Sequence, residues 1–463
     1  MRFHEGQVID GFTLESRMPS GGMASLWRAH HADVDVPVVL KIPFLDPGQD
    51  ISTVIGYEVE ELILKRLSGP HVPRYIRSGD LAETPYIAME FVEGDSLARI
   101  AKNAPLSPEE VARIGAEVAA AVASLHQQQV AHLDLKPENV ILAARGAVLL
   151  DFGLSRHAGL PDLLSEESNV PMGSAAYIAP EQVLGDRSDP SSDIFALGGI
   201  LYLLATGEPP FDWPSTQAGM KRRLYHAPKP PSVRNPKVPT WLETIIQKCL
   251  EVDRERRYAD AARVAFELRN PEQVVIVDPL PQRRWWDWLL AAFQKRDDLL
   301  LTGAPTARRR EAGPALILAA VDLADGVNPL ADAVLAETGR LLAARTDSRL
   351  SCLTVLKTEI LREDVMADSA GHSVYIKRLV ALKAWASPLG LAEDRISYHV
   401  VQAVSAADAI LRYAEHNQIG HIILGARGAS TLRRHLGSVS SKVVAEAGCS
   451  VTVVRNRSST SRA

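Results

Sequence analysis

The chain has 463 residues, enough for about three domains of ordinary size or for one large bilobal domain with a smaller companion. Hydrophobic residues at 46% and charged residues at 23% supply full cores and exclude a disordered chain, while a net charge of −5 offers no basic excess for nucleic acid. Three widely spaced cysteines, Cys249, Cys352 and Cys449, exclude a secreted disulfide scaffold and a CxxC metal site; with no signal peptide and no long apolar run, a soluble cytoplasmic protein is expected.

Residues 8–92 read as short extended runs separated by turns, with one helix expected over about 51–67. At Ser107-Pro108-Glu109-Glu110 the pattern changes to a helix start, with serine as cap, proline in the first position and acids in the first turn. That helix is expected to run to about Gln128, with further helices after Asp189 and over 241–269, closed by Asn270-Pro271. A small strand-rich lobe (about 8–92) thus precedes a larger helical one (about 93–270), giving an α+β bilobal unit over 8–270.

Residues 271–313 form a linker that mixes prolines, tryptophans and the charge run Arg308-Arg309-Arg310-Glu311. Within it, the aromatic stretch from Trp285 to Phe293 is too short to span a membrane; it is expected to dock on a neighbouring domain, with a membrane interface as the competing reading. Over 314–455 the rhythm alternates. Strands are expected at 315–321, 351–356, 396–401, 421–424 and at the end of 440–454, with helices between them near 331–344, 374–387, 406–417 and from 440. Such alternation implies an α/β doubly wound parallel sheet of about five strands covered on both faces.

The strongest chemical signal is His132-Leu133-Asp134-Leu135-Lys136-Pro137-Glu138-Asn139, followed after a short hairpin by Asp151-Phe152-Gly153. Phosphoryl transfer needs a carboxylate to orient the attacking hydroxyl, a cation on the γ-phosphate and oxygen ligands for magnesium. Asp134, Lys136 and the pair Asn139 and Asp151 supply these. Strands expected at 139–142 and 147–150, with Arg145-Gly146 in the turn, bring Asn139 and Asp151 to one end of a hairpin.

These residues resemble the catalytic loop and the DFG motif of the eukaryotic-type (Hanks-type) serine/threonine protein kinases, and other motifs of the first 270 residues fall in that family's order. The resemblance implies ATP and magnesium as cofactors and protein substrates as partners. Val38-Val39-Leu40-Lys41 is similar to the strand whose lysine holds the α- and β-phosphates. Of the candidate partners Glu58, Glu60 and Glu61, Glu60 shares a face with Leu64 and Leu67, whereas Glu61 lines up with Lys65 as a surface pair; Glu60 is the expected partner of Lys41. Met89-Glu90-Phe91-Val92 resembles the hinge that meets adenine, which implies nucleotide contacts at Glu90 and Val92 and Met89 at the back of the pocket. Gly173 to Tyr177 and Ala179-Pro180-Glu181 resemble the end of an activation segment, Asp193 a support of the catalytic loop, and Arg257 the partner of Glu181. The wording Lys136-Pro137-Glu138-Asn139 implies serine or threonine acceptors.

Two departures from the family stand out. The phosphate-covering loop, flanked by Met18 and Leu26, reads Pro19-Ser20-Gly21-Gly22-Met23-Ala24, so only the middle family glycine stands, as Gly21; a stiffer loop and weaker ATP binding are expected. Leu133 occupies the place of the arginine that receives an activation-loop phosphate, so activation is expected to work differently, with Ser165, Ser168 and Ser174 as candidate autophosphorylation sites. A catalytically weak nucleotide-sensing scaffold is the alternative that the altered loop supports.

Residues 314–455 resemble the universal stress protein family, on Val321-Asp322, Gly425-Ala426-Arg427-Gly428 and Gly437-Ser438-Val439-Ser440. This implies a second nucleotide site, with Asp322 near adenine and Gly425, Gly428, Gly437 and Ser438 around phosphates. Eight residues separate Gly428 from Gly437, one fewer than in binding members, and a plain turn with a helix cap is the alternative. A homodimer through this domain is a further implication of the resemblance, and control of the kinase by the domain is a separate expectation.

Overall fold

A computed structural model describes residues 3–19, 23–45, 51–81, 83–167, 170–214, 216–276, 315–324, 326, 328–358, 373–426 and 437–455. The first lobe is a six-stranded antiparallel sheet in the order β1-β2-β3-β4-β6-β5, comprising β1 (Val8–Ile9), β2 (Phe12–Met18), β3 (Ala24–His30), β4 (Val38–Pro43), β5 (Tyr75–Ser78) and β6 (Ile87–Glu90). Period-two alternation sends Phe12, Leu14, Trp27, Ala29, Val38, Leu40 and Ile42 into one apolar cluster on its outer face. Val39, Ile87 and Met89 belong to the opposite face, against which α1 (Ile51–Leu64) packs. That helix ends three residues before the expected boundary at 67, although Leu67 is still buried.

The second lobe is helical around α2 (Pro108–Gln127), α4 (Ser191–Thr206), α5 (Thr240–Cys249) and α6 (Ala261–Arg269), with α3 (Leu163–Glu167) in the segment that precedes α4. The start of α2 is as expected: Ser107 Oγ accepts the Glu110 N–H at 3.2 Å, with Pro108 in the first turn. The helical stretch expected over 241–269 holds two helices, because Asp253 and Asp260 turn their carboxylates onto backbone N–H groups of Glu255 and Arg263 and cap new starts. Two small sheets complete the lobe, one ordered β10-β9-β7 and one pairing β11 with β8. Their strands are β7 (Asp95–Ser96), β8 (Val130–Ala131), β9 (Val140–Ala143), β10 (Gly146–Leu149) and β11 (Arg156–His157). The β9–β10 turn is Ala144-Arg145, one residue earlier than expected, since Gly146 pairs with Ala143.

The C-terminal domain runs β12 (Leu316–Ala320), α7 (Pro329–Ala344), β13 (Arg349–Lys357), α8 (Val374–Ala386), β14 (Ile396–Ala403), α9 (Ala406–His416), β15 (His421–Gly425), α10 (Ser438–Glu446) and β16 (Ser450–Val454). Its five strands are all parallel, in the order β14-β13-β12-β15-β16, so the chain reverses its direction of winding after β14. α7 and α8 cover one face through Val334, Leu342, Leu382 and Trp385; α9 and α10 cover the other through Ile410, Tyr413 and Val443. Tyr375 and Leu379 of α8 join Val54 of α1 and Val400 in an apolar cluster that docks this domain on the first lobe. The Trp285 to Phe293 stretch, and the linker from 277 onward, lie outside the described residues; among those described, no helix is long and apolar enough to cross a membrane.

Candidate active site

Because β4 alternates, Lys41 shares the face of Val39 and is turned towards α1. There its Nζ meets Glu60 at 2.6 Å and Asp151 Oδ1 at 2.7 Å. Glu60 is only 2% exposed, so its ionised form depends on this pairing. Burial works against the lysine's charge, but the two carboxylates outweigh it and raise its pKa. Lys41 in turn holds the Asp151 carboxyl below its usual range. Gly56 of α1 and Gly153 lie against one another: a methyl on Gly56 would stand 3.4 Å from the Gly153 carbonyl oxygen, and one on Gly153 would stand 3.3 Å from that of Gly56. Phe152 between Asp151 and Gly153 is fully buried, its ring centroid 5.3 Å from that of His132.

Asp134 is 8% exposed and both its oxygens are engaged: Oδ1 accepts the Ser174 N–H at 2.7 Å and Oδ2 accepts Lys136 Nζ at 2.8 Å. Asn139 Nδ2 donates to the Asp134 carbonyl at 3.0 Å, which pins both ends of the loop together. The loop is held from beneath by Asp193, fully buried, which accepts from His126 Nε2, the His132 N–H and the Leu133 N–H, each at 2.8 Å. Burial opposes the charge on Asp193, yet the His126 and His132 donors keep its pKa below the ordinary value. Leu133 sits at φ +62°, a left-handed conformation costly for a branched side chain, and Asp151 at φ +63°.

The residues that the sequence pointed to around the nucleotide fall into place unevenly. Met18 ends β2 and pairs with Leu26 on β3; Ala24 is buried at the start of β3 and Met23 is 64% exposed. Pro19 follows β2, and Ser20, Gly21 and Gly22 lie outside the described residues, as does Ser168. Met89 is buried in β6, Glu90 ends that strand with both oxygens held by Arg145 at 2.6 and 3.0 Å, and Val92 lies two residues beyond. Arg257 meets Glu181 with two parallel bonds of 2.7 and 2.8 Å, and Ser192 Oγ adds a third at 2.6 Å.

The description "Protein kinase domain" matches residues 12–267, more than half of the chain. The chain belongs to the protein kinase family. A second description, "Universal stress protein family", matches residues 316–455. The kinase region is similar to the serine/threonine-protein kinase PknB of Mycobacterium leprae, 31% identical over 268 residues, 56% of this chain and 43% of that protein. It is also similar to the serine/threonine-protein kinase PrkC of Bacillus subtilis, 33% identical over 253 residues, 54% of this chain and 39% of that protein. The chain therefore spans about two fifths of the length of these curated relatives. The solved PknI kinase domain of Mycobacterium tuberculosis aligns over 58% of this chain and 100% of its own at 23% identity, with a TM-score of 0.46.

Several supports of the kinase site were not foreseen. Arg223, fully buried, donates to the carbonyls of Ile178 and Ala175 in the segment after Gly173, and burial pulls its pKa down to about 10. In sequence it stands in Lys221-Arg222-Arg223, which reads as an ordinary exposed basic cluster. Gln182 Nε2 donates to the Leu133 carbonyl at 2.8 Å and so ties that segment to the catalytic loop. In the stress-protein domain, Asp322, Gly425, Gly437 and Ser438 line one cavity of about 290 Å³ at the C-terminal ends of the parallel strands, together with Lys357. Gly428 lies outside the described residues. A methyl on Gly425 would press on the Leu330 side chain at 2.7 Å, so this glycine lets α7 pack against the strand end.

Proposed function

We propose that this chain is an ATP-dependent serine/threonine protein kinase that transfers the γ-phosphate to protein hydroxyls, its own included. The observation that carries the reading is the joint occurrence of Lys41 between Glu60 and Asp151 at 2.6 and 2.7 Å and of Lys136 at 2.8 Å from Asp134. Asn139 and Asp151 offer oxygen donors of the kind a hard divalent cation takes, and magnesium would neutralise charge on the phosphates when bound there. Asp134 orients the acceptor hydroxyl and takes its proton, while Lys136 steadies the oxygens of the transferred group. Lys41, fixed by Glu60, aligns the nucleotide. Met18, Leu26, Ala24 and the loop between them cover it, and the backbone at Glu90 and Val92 receives the adenine edge.

Similarity to the serine/threonine-protein kinases PknB and PrkC supports the choice of acceptor, as does the Lys136-Pro137-Glu138-Asn139 motif. The cavity of the C-terminal domain is proposed as a second adenine-nucleotide site, supported by the convergence there of Asp322, Gly425, Gly437, Ser438 and Lys357. A homodimer through this domain and a cytoplasmic setting complete the proposal. The test is incubation with γ-labelled ATP and magnesium, alone and with a basic acceptor protein, beside Lys41→Ala and Asp134→Ala. Label on serine or threonine that both substitutions abolish supports the reading; ATP binding without transfer would replace it with a nucleotide-sensing scaffold.

A further inference from the structure

Glu166 lies on α3, downstream of Asp151, yet its carboxylate is buried in the C-terminal domain. Arg349 donates to Oε1; Ser397 Oγ at 2.9 Å, His399 Nε2 at 2.8 Å and Tyr413 OH at 3.3 Å surround Oε2. Asn417 Nδ2 also donates to the Glu166 carbonyl at 3.2 Å, and the His416 ring nitrogen lies 2.8 Å from the Ser165 carbonyl. A carboxylate is expensive to bury without a full set of donors, and here β13, β14 and α9 each supply some. The receptor is braced from within, because Ser351 Oγ bonds the Tyr413 hydroxyl at 2.7 Å and Ser397 Oγ at 3.3 Å.

A second contact reaches the helix that carries Glu60. Lys383 of α8 pairs with Glu58 on α1, and Glu393 pairs with Arg66 at 2.8 Å just beyond it. Val54 of the same helix joins Tyr375, Leu379 and Val400 in an apolar cluster. α1 is the helix that presents Glu60 to Lys41. Both the segment and the helix are thus gripped while the Lys41–Glu60 and Asp134–Ser174 contacts are made.

We infer that the C-terminal domain is a built-in activator in which Glu166 is a positioning residue, and its receptor of Arg349, Ser397, His399 and Tyr413 takes the place of the arginine that Leu133 lacks. The segment is then ordered by a carboxylate already in the sequence rather than by an added phosphate. This deepens the kinase reading and rests on it. The test uses the full chain with Glu166→Gln, Arg349→Met, Glu58→Lys, and Glu58→Lys combined with Lys383→Glu. Hydrogen exchange over 154–178 and 51–64 is measured beside kcat and KM for ATP. Glu166→Gln and Arg349→Met are expected to speed exchange over 154–178 and to lower kcat about ten- to a hundredfold, the worth of a hydrogen bond to a buried charge, with little change in KM. Glu58→Lys should loosen 51–64, and the double reversal should restore both exchange and kcat. Unchanged exchange, or a kcat that rises, overturns the inference while leaving an active kinase. No transfer by the unmodified chain removes the kinase reading, and the activating role with it, whatever the exchange.

Discussion

Asp193→Asn isolates what holds the catalytic loop in shape. The carboxylate accepts three bonds of 2.8 Å with no solvent to replace them: Oδ2 serves His126 and the His132 N–H, and Oδ1 serves the Leu133 N–H. An asparagine that keeps its oxygen in the Oδ2 position sets its amide N–H₂ against the Leu133 N–H, orphaning that backbone donor at about 1–3 kcal/mol, and strips the charge assistance from the other two bonds at about 1 kcal/mol each. The sum is about 3–5 kcal/mol, a large part of the roughly 5–15 kcal/mol by which a domain is stable. At about 2–4 °C per kcal/mol, calorimetry should find the kinase transition lowered by roughly 6–20 °C. Leu133 at φ +62° is the residue most dependent on those bonds, and Asp134 follows it, so kcat should fall by at least about tenfold even well below the new midpoint. A shift under about 2 °C with unchanged kcat would refute the reasoning.

Substituting Lys41 by Met leaves Glu60 buried without its cation; transfer should drop by at least about a hundredfold, and thermal stability should fall as well, both read on one purified variant. The grip on Glu166 should depend on pH in a defined window. Burial disfavours charge on both partners, but their mutual bonds, with Arg349 and Glu167 beside them, raise His399 to about 9 from 6.5 and lower Glu166 to about 2 from 4.5. The histidine contribution is complete below 6.5 and is lost as pH rises through 9; the glutamate contribution is complete above 4.5 and is lost as pH falls through 2. Intrinsic-rate-corrected hydrogen exchange over 154–178 should therefore be slowest near pH 4.5–6.5 and accelerate above it by up to about tenfold per pH unit, an acceleration that Glu166→Gln reduces and that Glu166→Gln combined with Glu167→Gln abolishes. For the second cavity, Ala406→Phe should fill part of the 290 Å³ and remove one of two ATP-binding events in calorimetric titration while Lys41→Ala removes the other; a single event lost only with Lys41→Ala would remove the second site.

The sequence was most legible where chemistry is local. His132 to Asn139 and Asp151 to Gly153 are short contiguous motifs, and helix periodicity alone picked Glu60 over Glu61, which indeed pairs with Lys65 at 2.6 Å. The alternating C-terminal domain also declares its parallel sheet, with strand ends displaced by at most two residues. What stayed illegible depends on partners far along the chain. Glu58 reads as one more surface acid until Lys383, 325 residues away, covers it, and Glu166 lies 183 residues from Arg349 and 233 from His399. No periodicity within either segment reports a contact between them. The helix boundaries at Cys249 and Ala261 were missed for a different reason: Asp253 and Asp260 look like helix surface until their carboxylates are seen turned back on the backbone.

The backbone contact between Gly56 and Gly153 has a bearing on small-molecule selectivity. An inhibitor that needs Phe152 swung out of its buried seat must move Gly153, whose backbone lies against that of Gly56 on α1, so a shift of Gly153 towards the helix displaces α1 as well. The outer side of α1 is fastened in turn through Glu58 and Val54 to the second domain. Such a compound would pay for separating two domains, whereas one that fills only the adenine pocket would not, so the full chain should discriminate between the two inhibitor classes more sharply than a kinase whose helix is free.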